Sequence, residues 1–217
     1  LTELVWNKIK HTVPFQIIHP IEFEFSPTGL HFATNSTKIV ITIHDLIHEK
    51  YGAPGDLYNE NRRSQFYSKA DGYIFVSNST KNDFAEIYPQ FFESKPSRVI
   101  YHGKNFDSSV NSFNKDSKQF LFVGAREGYK NFVNACLAFE KTLKIVPECT
   151  FSIVGSNYSS EEFNLVKNFR HRVKWVNYPT HETLRELYSN SLGLLYVSNY
   201  EGFGMPLLEA MSQGCVP

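Results

Sequence analysis

Short β-branched runs alternate along this chain with stretches of helical periodicity, and no other feature restricts the fold as much. The runs are IVITIH (39–44), YIFVS (73–77), RVIYH (98–102), FLFVG (120–124), FSIVG (151–155), VKWV (173–176) and LGLLYVS (192–198). Each is short and apolar and is followed by turn-forming residues, as buried parallel strands are. Between them lie amphipathic stripes. Phe132, Cys136, Phe139, Leu143 and Val146 share one helical face, and Pro147 ends that helix. Ser159 and Glu162 form a capping box ahead of Phe163, Val166 and Phe169. Leu184, Leu187 and Tyr188 mark a further helix, and a last one opens at Pro206 and closes at Gly214. The class is therefore α/β, with parallel sheets covered by helices on both faces.

The segment 106–117 is rich in Asn, Ser, Asp and Lys and has no apolar period. It reads as a linker between an N-terminal unit, 1–105, and a C-terminal unit, 118–217. LTELVWNKIK at the start reads as the middle of an amphipathic helix, and the last residues as a helix stop leading into a strand. Both units are accordingly expected to be incomplete, with sheet edges that further chain or a partner would cover.

Composition removes several classes. Basic and acidic side chains balance at 22 each, so charge offers no case for a nucleic-acid partner. The three cysteines, Cys136, Cys149 and Cys215, are odd in number and widely spaced, which argues against a disulfide framework or zinc knuckle and fits a cytoplasmic setting. Neither a membrane-spanning run nor a signal peptide is visible.

The chemistry concentrates at the end, in LLYVSNYEGFGMPLLEAMSQG. Its layout is strand, loop, helix, with Gly202 and Gly204 flanking Phe203 so that backbone can approach a ligand. Met205 and Pro206 lead into a helix whose first N–H groups and positive dipole end suit a diphosphate. Glu201 and Glu209 frame the loop; carboxylates suit sugar hydroxyls better than phosphate. A plain helix cap with two solvated glutamates is the alternative. Earlier, FVGAREGYKN runs from a strand through Gly124 to Arg126 and Lys130, two cations at the same sheet edge that could hold a diphosphate, or else a solvated basic loop. His44 ends the run IVITIH and is either a binding group or a core histidine. His44-Asp45-Leu46-Ile47-His48 mimics the zinc-protease H-E-x-x-H. It fails as one: Asp45 is a carbon short, His44 ends a β-branched run, and Gly52 and Pro54 leave little room for a helix. D-x-D does not occur, and the only G-x-G has no third glycine at the dinucleotide-binding offset.

E-G-F-G-x-P-x-x-E-A-x-x-x-G, with Glu201 and Glu209 in E-x7-E spacing, closely resembles the signature of the group 1 retaining GT-B glycosyltransferases, the superfamily of sucrose synthase and many mannosyltransferases. FVGAREGYKN resembles the Arg and Lys pair that this family uses in place of a metal, and IVITIHDLIHEKYG its strand ending in His-Asp. KADGYIFVSNSTKNDF, SRVIYHGKNF and WVNYPTHETLRELYSNS resemble further elements of the same fold. The resemblance implies two Rossmann-like units of GT-B type, acceptor-side and then donor-binding. It also implies transfer of a hexose from a GDP- or UDP-sugar, with retention and no metal, to a glycan or lipid-linked acceptor, peripheral contact at the inner membrane face being possible. Arg126, Lys130 and the helix start at Pro206 would hold the diphosphate, with Gly124 among the donor-binding residues. Glu201 and the Gly202–Phe203–Gly204–Met205 backbone would hold the sugar, Glu209 the ribose, and His44 would approach from the other unit. The family's glycine-rich N-terminal loop does not occur here. A sugar-nucleotide epimerase of the same architecture and a catalytically incomplete nucleotide- or partner-binding remnant are the alternatives.

Overall fold

The computed structural model describes residues 15–20, 36–52, 60–103, 117–126 and 128–217. The chain divides into two compact units, Leu1–His102 and Gly103–Pro217. The helix expected at residues 1–10 and the linker up to residue 116 lie outside the described residues.

The first unit carries a four-stranded parallel sheet, β1 (Ile17–Ile18), β2 (Lys38–Ile43), β3 (Gly72–Phe75) and β4 (Ser97–Val99), in that spatial order. Its helices are α1 (Ile47–Tyr51), α2 (Glu60–Ser68), α3 (Asn78–Ile87) and α4 (Pro89–Phe92). Alternation along β2 buries Ile39, Ile41 and Ile43. They meet Tyr73, Phe75, Phe66, Tyr67, Phe84 and Tyr88 in one aromatic-rich core. Tyr67 stands edge-on to Phe84 and to Tyr88 with ring centroids 5.0 Å apart in each case, a favoured geometry for aromatic pairs. Buried phenols need partners: Tyr73 Oη donates to the Tyr67 carbonyl at 2.7 Å, and Tyr88 Oη to Glu49 at 3.1 Å. The Glu49 carboxylate also pairs with Arg63 at 2.7 Å, both side chains being nearly sealed from solvent.

The second unit is doubly wound. Its strands are β5 (Gln119–Val123), β6 (Thr150–Gly155), β7 (Val173–Asn177) and β8 (Gly193–Leu194), all parallel, in the order β7-β6-β5-β8. Helices α5 (Phe132–Leu143), α6 (Ser160–Leu165), α7 (His181–Ser189) and α8 (Met205–Ser212) complete it. One sheet face buries Phe122, Phe151 and Ile153 against Phe132, Ala135, Cys136 and Phe139 of α5. The other buries Leu121 and Val154 against Leu187 and Tyr188 of α7 and Ala210 of α8. All three cysteines lie buried as free thiols.

Several boundaries differ from the sequence-based expectation. β1 was not anticipated, being only a two-residue strand. The run at 192–198 pairs only over Gly193–Leu194; after Leu195, whose N–H bonds the Leu121 carbonyl at 2.7 Å, the chain leaves the ladder. α6 ends at Leu165, and Val166 and Phe169 reach the core from the turns beyond it. Ser77 caps α3 through the Thr80 amide, and Asp83 within that helix pairs with Lys50. α1 begins after His44, so His44 and His48 do not share a helix and the zinc-protease arrangement is absent. No helix among the described residues is long and apolar enough to cross a membrane.

Candidate functional site

The order β7-β6-β5-β8 places a topological switch between β5 and β8, since the chain winds outward from β5 in both directions. In open α/β sheets the crevice beyond the strand ends at such a point is the ligand site. The loops that leave β5 and β8 meet there. Gly124 ends β5 with φ +131, a conformation that favours glycine, and its N–H bonds the Val154 carbonyl at 3.1 Å. Gly128–Lys130 then forms a single 3-10 turn. Asn131, itself left-handed at φ 59, caps α5 and sends its amide across to the Val197 carbonyl at 3.1 Å. The Asn199 N–H returns the contact to the Tyr129 carbonyl at 2.8 Å.

This clamp brings Lys130 to Glu201. Their Nζ and Oε1 are 2.6 Å apart, with side chains 15% and 19% exposed. Half-burial makes the pair stronger than a surface ion pair, while the opening to solvent leaves it within reach of a ligand. The Tyr196 side chain lies beneath. Burial first, and then the Glu201 charge, push its phenol well above the ordinary range.

Gly202 and Phe203 carry the chain on to Gly204, the N-cap of α8, at φ +93. A Cβ there would sit 3.2 Å from both Tyr196 Oη and a Leu207 methyl. Met205 and Pro206 form the first turn, and no side chain caps it. The first N–H groups of α8 therefore open at the same edge as the Lys130–Glu201 pair.

Glu209 does not stand at the surface. It is 8% exposed and accepts a hydrogen bond from Tyr188 Oη at 2.9 Å, tying α8 to α7. Burial and the Glu209 carboxylate push the Tyr188 phenol up.

Arg126 and Lys130, expected at the same sheet edge, turn to different partners. Arg126 turns toward β6 and β7, its side chain only 2% exposed. Its Nε pairs with Glu162 at 2.8 Å, and its Nη2 donates to the carbonyls of Ser156 at 3.0 Å and Asn157 at 2.9 Å. The guanidinium lies over Trp175, 5.6 Å from the ring centroid. Glu162 serves two partners: one oxygen takes Arg126, and the other takes the Ser159 N–H at 2.7 Å to complete the capping box. Gly155 leaves room for this arrangement, since a Cβ would fall 2.6 Å from the Gly124 carbonyl oxygen and 2.8 Å from Arg126 Nη1. Nη1 is buried and meets no hydrogen-bond partner among the described residues.

His44 belongs to the first unit. By surface area it is exposed at the end of β2, not a core residue; its ring is nonetheless partly desolvated, and this, followed by the nearby His102, holds its pKa below the ordinary value. No group of three or more His, Cys, Asp or Glu side chains able to hold a metal ion occurs among the described residues. Sequence reasoning placed Tyr188 only on a helix face, and did not single out Tyr196, Asn131, Asn199 or the second duty of Glu162 as parts of the site. Only Asn131, adjoining Lys130 in the same motif, left a local signal.

Two matched families account for this arrangement. Residues 103–217 match the family described as glycosyl transferases group 1, and residues 3–107 match glycosyltransferase family 4. The chain belongs to the group 1 glycosyltransferases, with the paired Rossmann-like units of the GT-B fold. Among its relatives is the serotype-specific mannosyltransferase WbdA of Escherichia coli, 32% identical over 97 residues, covering 42% of this chain and 12% of that protein. Another is the GDP-mannose:cellobiosyl-diphosphopolyprenol alpha-mannosyltransferase of Xanthomonas oryzae, 25% identical, covering 67% of this chain and 40% of that protein. Sucrose-phosphate synthase from Thermosynechococcus elongatus superposes with a TM-score of 0.74 at 22% identity, over 97% of this chain and 57% of that one. The chain thus spans less than two thirds of the length of each.

Proposed function

We propose that this chain carries the donor site of a transferase that moves a hexose from a GDP- or UDP-sugar to a hydroxyl of a glycan or lipid-linked acceptor, with retention, in cell-surface polysaccharide synthesis. The observation that supports it most is the Lys130–Glu201 pair at the β5/β8 switch point, beside the uncapped start of α8. A diphosphate entering there would exchange Glu201 for its own charge on Lys130. Glu201 would then be released to accept from sugar hydroxyls. The N–H groups of Met205 and its neighbours would take phosphate oxygens, and the glycine backbone at Gly202 and Gly204 would let the sugar approach.

Arg126 has a narrower part than Lys130 in this reading. Its Nε and Nη2 are committed, so Nη1 is the atom left for phosphate, and the guanidinium otherwise shapes the loop. Glu209, aligned by Tyr188, would take the ribose, and His44 the sugar from the acceptor side. The leaving diphosphate would be stabilised by these cations and helix N–H groups without a divalent ion, and the work would be done at the cytoplasmic face of the membrane.

The test is a product assay on the full gene product with GDP- and UDP-hexoses, with and without EDTA. Transfer to acceptor with retained configuration and no loss in EDTA is expected. Magnesium-reversible loss refutes the metal-free part. Release of epimerised free sugar without acceptor supports the epimerase instead, and tight nucleotide binding with no turnover supports the inactive remnant.

A further inference from the structure

Three imidazoles gather at the C-terminal edge of the first sheet. His19 follows β1, His44 follows β2, and His102 lies just beyond β4. The rings of His44 and His102 are stacked nearly parallel, 7° apart in plane with centroids separated by 5.5 Å. β2 and β4 are not neighbours, because β3 runs between them, so their axes are about 10 Å apart. The segments that carry the two rings are both anchored to β3. Ile43 pairs opposite Phe75 in β3, and the Ile100 N–H bonds the Phe75 carbonyl at 2.8 Å. Tyr101, next to His102, accepts from Asn78 Nδ2 at 3.0 Å. His19 is tied down in turn through Nε2 to Thr42 Oγ1 at 2.8 Å.

We propose that His102 is a positioning residue for His44, fixing the plane and the hydrogen-bonding edge of its imidazole. The inference deepens the transferase reading, on which the substrate role of His44 rests. Two imidazolium ions stacked at this distance would repel, so the pair favours the uncharged His44 ring. Desolvation of the ring is the largest cause that disfavours protonation of His44, followed by His102 and, more weakly, His19, while Asp45 opposes them. A neutral imidazole both donates and accepts, whereas the protonated ring only donates. Held in one plane, His44 offers a substrate hydroxyl a defined acceptor.

The test combines an NMR titration of the His44 ring with pH profiles of kcat/KM in the full gene product. H102A is expected to raise the His44 midpoint, move the acid limb of kcat/KM upward, and lower kcat several-fold even at pH 8. H102F supplies a flat ring without charge; it is expected to keep the raised midpoint while recovering most of the kcat lost in H102A. An unchanged His44 midpoint with an unchanged kcat in H102A overturns the inference. A moved midpoint in a gene product that makes no transfer product leaves the stack standing and removes only the transferase reading.

Discussion

Replacing Lys130 by alanine removes the cation that faces Glu201 and leaves that carboxylate half-buried without its 2.6 Å partner. Turnover in a transfer assay is expected to fall by about 10²-fold or more, the scale on which preorganised charge acts in a transition state. Unchanged turnover would remove Lys130 from the site. Tyr188→Phe deletes one hydroxyl from a buried carboxylate and is expected to cost about 1–3 kcal/mol in chemical denaturation. If Glu209 holds the ribose, the same variant raises the KM for the donor more than it lowers kcat. The two outcomes separate a purely structural bond from one that aligns a ligand. Lys130 and Glu201 were legible one at a time, each inside a recognisable string. Their contact was not, because 71 residues separate them and only the fold order joins their loops. Tyr188 was legible as core but not as a partner, since its place in an apolar helical stripe says nothing of where its hydroxyl ends.

Among the elements, the cap of α6 and the loop after β5 are coupled through one carboxylate. Ser159→Ala is expected to cost about 1 kcal/mol, as cap losses do, measurable by denaturant titration. Gly155→Ala is expected to do more, because its Cβ meets backbone at 2.6 Å, which cannot yield as a side chain end can. The guanidinium of Arg126 would be displaced, and Arg126 would serve as the reporter of the shift. The capping box itself was readable from Ser159 and Glu162, as was the proline near the start of α8. The divergence of Arg126 from Lys130 was not, because their spacing looks the same whether a loop points both side chains one way or apart. β8 was overextended for a related reason. LGLLYVS has strand composition throughout, yet the ladder ends where the chain must leave the sheet to build the site.

At the scale of the whole chain, the alternation of strand and helix gave the class correctly, while the segment read as a linker, 106–117, lies almost wholly outside the described residues. What composition could not convey is the polar network inside the first core. Arg63→Met leaves Glu49 buried without its cation and is expected to destabilise the first unit by about 3–5 kcal/mol. Protonation of two histidines should also weaken the first unit, partly offset by the raised pKa of the Glu49 carboxyl. Burial and neighbouring positive groups hold His44 and His48 below their ordinary value of 6.5. Groups lowered in the folded state add stability above the unfolded pKa and lose it as pH falls through the folded one. Denaturation midpoints for this unit are therefore expected to drop as pH is taken below about 6.5, and a flat profile there would contradict the assignment.

Cys136, Cys149 and Cys215 are all buried, and burial pushes the thiols of Cys136 and Cys215 up to about 12, with Cys149 raised as well. Thiolate is the reactive form, so none of the native sulfurs competes well for an alkylating dye while the chain is folded. A single cysteine introduced on an exposed turn would be labelled against a silent background, with no need to strip the natural ones first. The rate at which the native thiols become modifiable would then serve as a clock for opening of the second unit.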